Sequence, residues 1–291
     1  ASKVDRAYRK IRFQVLALRA AMKADVVICF GRTDYLRSLF VTNVPIIVRF
    51  ANPVDQFSID QIANHRQERI CFVGVSRDQM KDVRTNIPVH IIHNAVDLDR
   101  FEFRGRPESP PYLAFLGRLT KNKGVSLAIQ AAKQTGMRLR IAGNVPRAEP
   151  GAEAYFESEI RPALDERIEW IGPVGDAAKS DLLGGATGLL FPIQWREPFA
   201  NVVVESLACG CPVIGWDRGC VPEAIRHGET GFVVNSMEEM LQAIPRLQNL
   251  DRVACRDAVE EGFNSECLVD QYLDVIADPI GVPPGCLDRM A

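Results

Sequence analysis

The sequence has no long apolar run, few histidines and no cysteine pair with the spacing of a zinc-binding motif. Its apolar stretches fall short of the ~18 residues that a membrane-spanning helix needs, and no signal peptide opens it, so we expect neither an integral membrane protein nor a secreted one. Eight cysteines and four histidines are scattered along the 291 residues. Cys209 and Cys211 lack a second pair that would complete a tetrahedral zinc site. We therefore expect reduced, mostly buried thiols in a cytoplasmic protein.

The charge is divided unevenly between the two parts of the chain. The formal net charge is only −2, and the 47% apolar and 25% charged residues are ordinary for a globular protein. Residues 1–106 hold 18 Lys and Arg against 11 Asp and Glu, a net of +7, whereas residues 107–291 hold 17 against 26, a net of −9. The basic part predicts contact with anionic material, such as a membrane surface or a phosphate-bearing acceptor. Nucleic acid is not an expected partner, because no aromatic-interleaved basic motif accompanies the charge.

Residues 3–24 are predicted to form one amphipathic helix. Its apolar residues recur in steps of three and four, at Val4, Tyr8, Ile11, Val15, Leu18 and Met22. Basic residues cover much of the remainder. Two interpretations follow: a helix that lies on an anionic bilayer, or a helix that packs on a sheet. We expect a cytoplasmic protein. If the helix lies on a bilayer, the alternative is a peripheral position at the inner membrane face.

Beyond this helix, short apolar runs alternate with helix-like segments. Such runs occupy residues 26–30, 45–50, 69–74 and 88–92 in the first part, and 112–116, 138–143, 168–171, 188–192 and 211–215 in the second. Because parallel strands covered on both faces are continuous apolar runs, the pattern predicts two Rossmann-like parallel sheets. Residues 102–111, rich in glycine and proline, are predicted to link them.

The most informative stretch runs from Phe191 to Val234 and predicts a βαβ unit whose helix begins at Asn201. Free backbone N–H groups at a helix N-terminus just past a strand form an anion site. Glu197 and Glu205 flank this site. Carboxylates accept hydrogen bonds from sugar hydroxyls rather than from phosphate. The alternative is a solvated pair of glutamates on an ordinary helix.

This stretch resembles the donor-site signature of glycosyltransferase family 4. The matching residues are Glu-Pro-Phe at 197–199, Glu205 after seven intervening residues, Ala-Cys-Gly-Cys-Pro-Val-Ile at 208–214, and Gly-Glu-Thr-Gly-Phe-Val-Val at 228–234. The resemblance implies an α/β chain of the GT-B fold, with two Rossmann-like domains facing across a cleft. The domain boundaries that we predict are 1–106 for the acceptor-side domain, 107–265 for the nucleotide-sugar-binding domain and 266–291 for a helix returning to the first domain.

The resemblance also implies a retaining glycosyltransferase (a hexosyltransferase) that uses a nucleotide-diphosphate sugar, with a UDP-sugar favoured. The implied acceptor is a saccharide or other glycan, a lipid-linked sugar or a small molecule. Arg118 and Lys123, five positions apart after a predicted strand, would hold the leaving diphosphate from two directions. Glu197 would hold the hydroxyls of the donor sugar, and with these two cations it completes the predicted catalytic set. The remaining predicted donor-site residues are Gly117, Gly143, Gly172, Val174, Phe199, Ala200, Asn201, Val202 and Glu205.

No cofactor and no metal ion are expected, because cationic side chains can stabilise the leaving phosphate and no DxD-type carboxylate cluster follows a phosphate loop. The predicted transfer is metal-independent. Trp195, just before Glu197, either lines the sugar pocket or is a partly buried aromatic at a strand end.

Two features depart from the family pattern. No glycine-rich loop like the one that borders the donor in the family is found near the start, so we expect a shortened first domain. Ala51 stands where the family commonly carries a histidine. These departures favour one alternative, a nucleotide-sugar-binding protein or truncated subunit without transferase activity. An epimerase or a sugar-phosphate synthase on the same fold ranks lower, because the Glu-Pro-Phe stretch and the modest length fit a small transferase better.

Overall fold

The chain folds into two compact units. The computed structural model describes residues 3–30, 33–64 and 69–277. Unit 1 comprises residues 1–93 together with 268–291, and unit 2 is the continuous segment 94–267. The sequence predicted the first boundary after residue 106, whereas the chain contacts divide the structure after residue 93.

Unit 1 contains a four-stranded parallel sheet. Its elements are α1 (Lys3–Ala21), β1 (Val27–Phe30), a 3-10 segment (Thr33–Val41), β2 (Ile46–Phe50), α2 (Gln56–Ala63), β3 (Ile70–Gly74), α3 (Arg77–Met80) and β4 (Val89–Ile91). The strand order is β1-β2-β3-β4. All residues of the central strands β2 and β3 are buried, as expected for apolar runs covered on both faces.

Unit 2 contains a six-stranded parallel sheet. Its main elements are β5 (Tyr112–Leu116), α4 (Val125–Thr135), β6 (Arg138–Ala142), α5 (Ala152–Tyr155), β7 (Ile168–Gly172), α6 (Asp176–Gly185), β8 (Gly188–Phe191), α7 (Asn201–Ala208), β9 (Val213–Trp216), α8 (Val221–Ala224), β10 (Gly231–Val234), α9 (Met237–Ala243) and α10 (Arg252–Gly262). The strand order is β10-β9-β8-β5-β6-β7. The chain therefore builds outward in one direction from β5 and in the other from β8, which is the Rossmann order with its switch point between these two strands.

The last described helix, α11 (Ser265–Ala277), joins unit 1 from Leu268 onward. Its residues Tyr272 and Ile276 pack in one apolar cluster with Ile47 of β2. The side chain of Arg49 on β2 is only 4% exposed, and its Nη1 donates a 2.6 Å hydrogen bond to the Tyr272 hydroxyl. The buried guanidinium thus ties α11 to the sheet. Residues 278–291, the remainder of the predicted returning segment, lie outside the described residues.

The segment predicted as a linker packs as part of unit 2. The backbone N–H of Arg104 donates to the Cys209 carbonyl at 3.1 Å, and that of Glu108 donates to the Gly185 carbonyl at 2.8 Å. Glycine and proline content indicates an irregular backbone but does not reveal what that backbone contacts. The division between units therefore precedes this segment.

The two ends of unit 2 are paired through the backbone. The N–H of Val96 donates to the Phe263 carbonyl at 2.8 Å, and Val96 forms a parallel bridge with Asn264. The chain therefore enters and leaves unit 2 at neighbouring positions.

The predicted amphipathic helix is present as α1, but its apolar stripe faces solvent. Tyr8, Ile11 and Met22 are 66%, 62% and 73% exposed. The helix packs instead through Ala17 and Ala21 against the core of unit 1. The side chain of Val4 lies outside the described set. Within the described ranges, no helix is both long and apolar enough to cross a membrane.

The seven described cysteines form no disulfide. Five of them are buried: Cys71, Cys209, Cys211, Cys220 and Cys255. Burial raises the pKa of the Cys71 thiol to about 12. The expectation of free, mostly buried thiols is confirmed for these residues, and Cys286 lies outside the described part of the chain.

Candidate donor site

The candidate site lies on unit 2, at the carboxyl edge of the sheet where the strand order reverses. The loop after β5 and the loop after β8 meet there. The backbone N–H of Gln194 donates to the Asn122 carbonyl at 2.8 Å. Gly124 has φ +77°, and a Cβ at this position would lie 2.0 Å from the Pro192 carbonyl oxygen. Only glycine therefore allows the two loops to approach this closely.

A cation, a carboxylate and an indole come together at this switch point. Lys123 and Glu197 form an ion pair through Nζ and Oε2, and their side chains are 16% and 12% exposed. The indole N–H of Trp195 donates to the same carboxylate oxygen at 2.7 Å. The Lys123 ammonium lies 5.5 Å from the centre of the Trp195 ring. Open α/β sheets bind their ligands outside the carboxyl ends of the strands at the switch point, and this partly desolvated ion pair lies there.

The backbone around Glu197 is fixed by the loop that follows β9. The N–H of Cys220 donates to the Glu197 carbonyl at 3.0 Å. Gly219 has φ +61°, and a Cβ there would lie 2.3 Å from the same carbonyl oxygen. The Cys220 thiol accepts a hydrogen bond from the Ala200 N–H at 3.1 Å. Burial raises the pKa of Cys220 to about 12, so this thiol is neutral at physiological pH and acts as a packing group.

Arg118 occupies a more exposed place at the same edge. Its guanidinium pairs with Glu149 at 2.6 Å, and the two side chains are 47% and 40% exposed. Gly143, at the end of β6, has φ +143°, and a Cβ there would lie 1.7 Å from the Gly117 carbonyl oxygen. The two predicted glycines, Gly117 and Gly143, are therefore in close backbone contact. This contact fixes the position of the backbone from which the next residue, Arg118, extends.

The N-terminus of α7 has the features of an anion site. Phe199 and Ala200 are buried, Ala200 provides no side-chain cap, and the helix begins at Asn201. The backbone N–H groups of Asn201 and Val202 have no hydrogen-bond acceptor among the residues that the structure describes. Uncapped N–H groups at a helix start favour anions.

Glu205 lies further along α7 and is already paired. Its carboxylate accepts from Lys179 Nζ of α6 at 2.9 Å, and the two side chains are 16% and 19% exposed. Lys179 also lies 3.7 Å from Asp176. No sequence pattern predicts the role of Lys179, because a lysine on a neighbouring helix has no fixed spacing from Glu205.

The last two predicted residues lie at the end of β7: Gly172 is its final residue and Val174 follows it. The Gly172 carbonyl accepts the Gly143 N–H at 2.9 Å, and Gly172 has φ +80° with open space around its Cβ direction. Val174 is half-buried two residues later. In the described part of the chain, no three His, Cys, Asp or Glu side chains are grouped to hold a metal ion.

The family model described as Glycosyl transferases group 1 matches residues 98–261, more than half of the chain. The chain belongs to this family. The resemblance found in the 191–234 stretch is therefore confirmed. The matched segment contains every candidate site residue described above.

Two curated relatives are similar over about two thirds of the chain. The N-acetyl-alpha-D-glucosaminyl L-malate synthase of Bacillus anthracis is 26% identical over 219 residues, which is 67% of this chain and 55% of the relative. The D-inositol 3-phosphate glycosyltransferase of Mycobacterium bovis is 28% identical over 217 residues, 66% of this chain and 44% of the relative. The chain thus spans about half the length of the curated relatives it matches.

The fold is also that of a solved structure. HepE from Anabaena, crystallised in complex with UDP and glucose, superposes with a TM-score of 0.74 at 16% identity, over 91% of this chain and 81% of HepE. At this identity the similarity speaks for the fold alone. The predicted α/β, GT-B fold class is confirmed.

Proposed function

We propose that this chain is a retaining glycosyltransferase that binds a nucleotide-diphosphate sugar at the switch point of unit 2. The observation that carries the proposal is the half-buried Lys123–Glu197 pair with the Trp195 indole, in a family of glycosyl transferases. We favour a UDP-sugar as the donor. HepE, which shares the fold, was crystallised with UDP and with UDP-glucose.

The proposed roles follow from charge and position. Lys123 and Arg118 stabilise the negative charge that develops on the leaving diphosphate, together with the uncapped N–H groups at the start of α7. Glu197 accepts hydrogen bonds from hydroxyls of the donor sugar, and Glu205 from those of the nucleotide ribose. Backbone groups near Gly172 and Val174 meet the base. In a front-face, retaining transfer the leaving phosphate takes the proton of the acceptor, so no protein base is required.

We propose that no metal ion takes part, because two side-chain cations and the helix N-terminus supply positive charge for the phosphates. Transfer should then continue in the presence of EDTA. A strict requirement for manganese or magnesium would contradict this part of the proposal.

The test of donor binding is a thermal-shift and titration panel of UDP, GDP, ADP and dTDP with their common sugars, with and without EDTA. Ligand at a hundred times its dissociation constant should stabilise the fold by about 2.7 kcal/mol. Glu205→Gln should lose most of this stabilisation. The matched control is Glu229→Gln, an exposed glutamate paired with Arg226, which should keep it. Failure of every nucleotide to bind the wild type would overturn the proposed donor site.

A second candidate is a nucleotide-sugar-binding protein without transferase activity. Ala51, directly after β2, is exposed and non-ionisable where the family commonly carries a histidine. Incubation with radiolabelled UDP-sugar and a mixture of saccharide, lipid-linked and small-molecule acceptors separates the two candidates. Donor binding without any labelled product favours the binding protein, and labelled product excludes it.

We also propose that α1 makes peripheral contact with an anionic membrane. Its exposed apolar stripe lies beside the exposed basic residues Arg9, Arg12, Arg19 and Lys23. An apolar band flanked by cations fits an anionic bilayer surface. The chain should sediment with vesicles containing phosphatidylglycerol at 0.1 M salt and be released at 1 M.

The variant Ile11→Ser, Met22→Ser should lose this sedimentation. Val253→Ser, which changes an exposed valine of unit 2, is the control and should retain it. Equal sedimentation with pure phosphatidylcholine vesicles, or no effect of the double substitution, would rule out this surface.

A further inference from the structure

Among the residues that the structure describes, only one of the two carboxylate oxygens of Glu197 accepts hydrogen bonds. Oε2 accepts hydrogen bonds from both Lys123 Nζ and Trp195 Nε1. Oε1 accepts none from any residue that the structure describes. A carboxylate offers about four acceptor positions, so the remaining capacity of this half-buried group is concentrated on Oε1.

Trp195 contacts both members of the ion pair. Its N–H holds Oε2 of Glu197 at 2.7 Å, and its ring lies beside the Lys123 ammonium at 5.5 Å from the ring centre. The indole is a rigid group with a single donor, so it fixes the orientation of the carboxylate that it binds. Without the N–H, the carboxylate could turn out of this orientation while the attraction to Lys123 persisted.

The loop that carries Trp195 is held on both sides of the indole. Gln194 donates its backbone N–H to Asn122 and accepts from Arg218 Nη1 at 2.8 Å through its carbonyl. Two residues later, the carbonyl of Glu197 accepts the Cys220 N–H. The indole therefore stands on a fixed backbone, as a positioning group requires.

We infer that Trp195 is a positioning residue that presents Oε1 of Glu197 to the hydroxyls of the donor sugar. This inference rests on the proposed function for its ligand, and it adds a residue whose effect is confined to the sugar. Because the nucleotide makes no contact with Glu197 in the proposed arrangement, loss of the indole N–H should weaken the nucleotide-sugar complex and spare the nucleotide complex.

The first test is isothermal titration of UDP-glucose and of UDP into the wild type and Trp195→Phe. The variant keeps an aromatic ring and loses the N–H. We expect the affinity for UDP-glucose to fall about tenfold and that for UDP to remain within twofold. The matched control is Trp216→Phe, since the indole N–H of Trp216 has no hydrogen-bond partner in the described part of the chain. That control should change neither affinity. An equal loss for both ligands in Trp195→Phe, or no loss for either, would overturn the inference.

The second test needs no ligand. A double-mutant cycle with Lys123→Met and Glu197→Gln, measured by urea unfolding, gives the coupling within the ion pair in the wild type and in the Trp195→Phe background. We expect the shift in urea midpoint due to coupling to fall by at least half without the indole N–H. Unchanged coupling would show that Trp195 does not position Glu197. If the wild type bound neither UDP nor UDP-glucose, the proposed function would fail while this cycle still decided the role of Trp195.

Discussion

Buried charged side chains have different hydrogen-bond environments in the two units. In unit 1 the buried Arg49 donates to the Tyr272 hydroxyl and, at 3.4 Å, to the Ile92 carbonyl, so its charge is used to join the elements of the unit. In unit 2 the half-buried Lys123 and Glu197 stand at the ends of strands and leave acceptor capacity unused. In both arrangements, hydrogen bonds or an ion pair offset the desolvation cost of the buried charge. Only the second leaves a polar group available to a ligand.

The carboxyl edges of the two sheets differ in the same way. Several loops at the carboxyl edge of the unit 2 sheet depend on glycines with positive φ that lie against neighbouring backbone, such as Gly124 and Gly143. At the carboxyl edge of the unit 1 sheet, β2 is followed by Ala51 and Asn52, both exposed. A binding site built from close backbone contacts is sensitive to single methyl groups, and the predictions below probe that sensitivity.

The largest effect is expected for Gly143→Ala. The new Cβ would overlap the Gly117 carbonyl, so the strand ends must separate, and we expect a loss of about 4 kcal/mol in the free energy of unfolding. Gly151→Ala is the matched control, because Gly151 also has positive φ, +81°, but has open space around its Cβ direction. It should lose only about 1 kcal/mol. Urea unfolding measures both, and similar losses would mean that backbone conformation alone matters at this edge.

The next effect concerns the charge in unit 1. Arg49→Met should lower the free energy of unfolding of unit 1 by about 3 kcal/mol, because the Tyr272 hydroxyl and a backbone carbonyl lose their donor. Tyr272→Phe removes one hydroxyl and should cost about 1 kcal/mol. Unfolding of this unit can be followed by labelling of the buried Cys71 thiol. Equal losses for the two variants would indicate that Arg49 acts only through Tyr272.

Alkaline pH should destabilise unit 2 more than unit 1. Burial raises the pKa of Cys209, Cys220 and Cys255 in unit 2 and of Cys71 in unit 1 to about 12, and it also raises the pKa of Cys211 in unit 2 and of Cys29 in unit 1. The folded thiols keep protons that the unfolded chain releases above a pKa of about 8.5, so stability falls as pH rises through that value and continues to fall toward 12. From pH 7 to pH 9 each thiol that stays protonated in the folded state costs about 0.8 kcal/mol, so we expect a loss of roughly 3 kcal/mol in unit 2 and roughly 1 to 1.5 kcal/mol in unit 1.

The two units offer separate probes for this measurement. All three tryptophans, Trp170, Trp195 and Trp216, lie in unit 2, so their fluorescence reports its unfolding alone. Labelling of Cys71 reports on unit 1. Cys220→Ala should reduce the pH-dependent loss in unit 2 by about a quarter. Equal losses in the two units would contradict the assigned burial of the thiols.

The smallest effect on stability is expected for Arg118→Met. Because the Arg118–Glu149 pair is exposed, its removal should change the free energy of unfolding by less than about 0.5 kcal/mol. If Arg118 binds the diphosphate as proposed, the affinity for UDP should nevertheless fall about tenfold. Arg161→Met, which breaks an exposed pair with Glu157, is the control for the loss of one charge. An unchanged UDP affinity would remove Arg118 from the site.

The sequence predicted the strands well because their apolar runs are local signals. It also predicted residues after two adjacent strands of the sheet, such as Arg118 after β5 and Glu197 after β8, since the carboxyl ends of parallel strands share one edge. It did not predict the partners of these residues. Glu149 and Lys179 come from loops and helices whose distance to the site depends on packing. Residues 102–111 were predicted to link the two units, whereas they pack in unit 2. The reason is the same, because composition does not specify contacts.

The pairing of Val96 with Phe263 and Asn264 has a consequence for dissection of the gene. Unit 2 is one continuous segment whose ends adjoin, as in a domain inserted into a host, whereas unit 1 is assembled from two separated pieces. Excision of residues 94–267 should therefore yield a piece that folds by itself. Cutting at residue 107 would discard backbone donors that unit 2 uses, and a circular permutant joining residue 267 to residue 94 should need only a short connector.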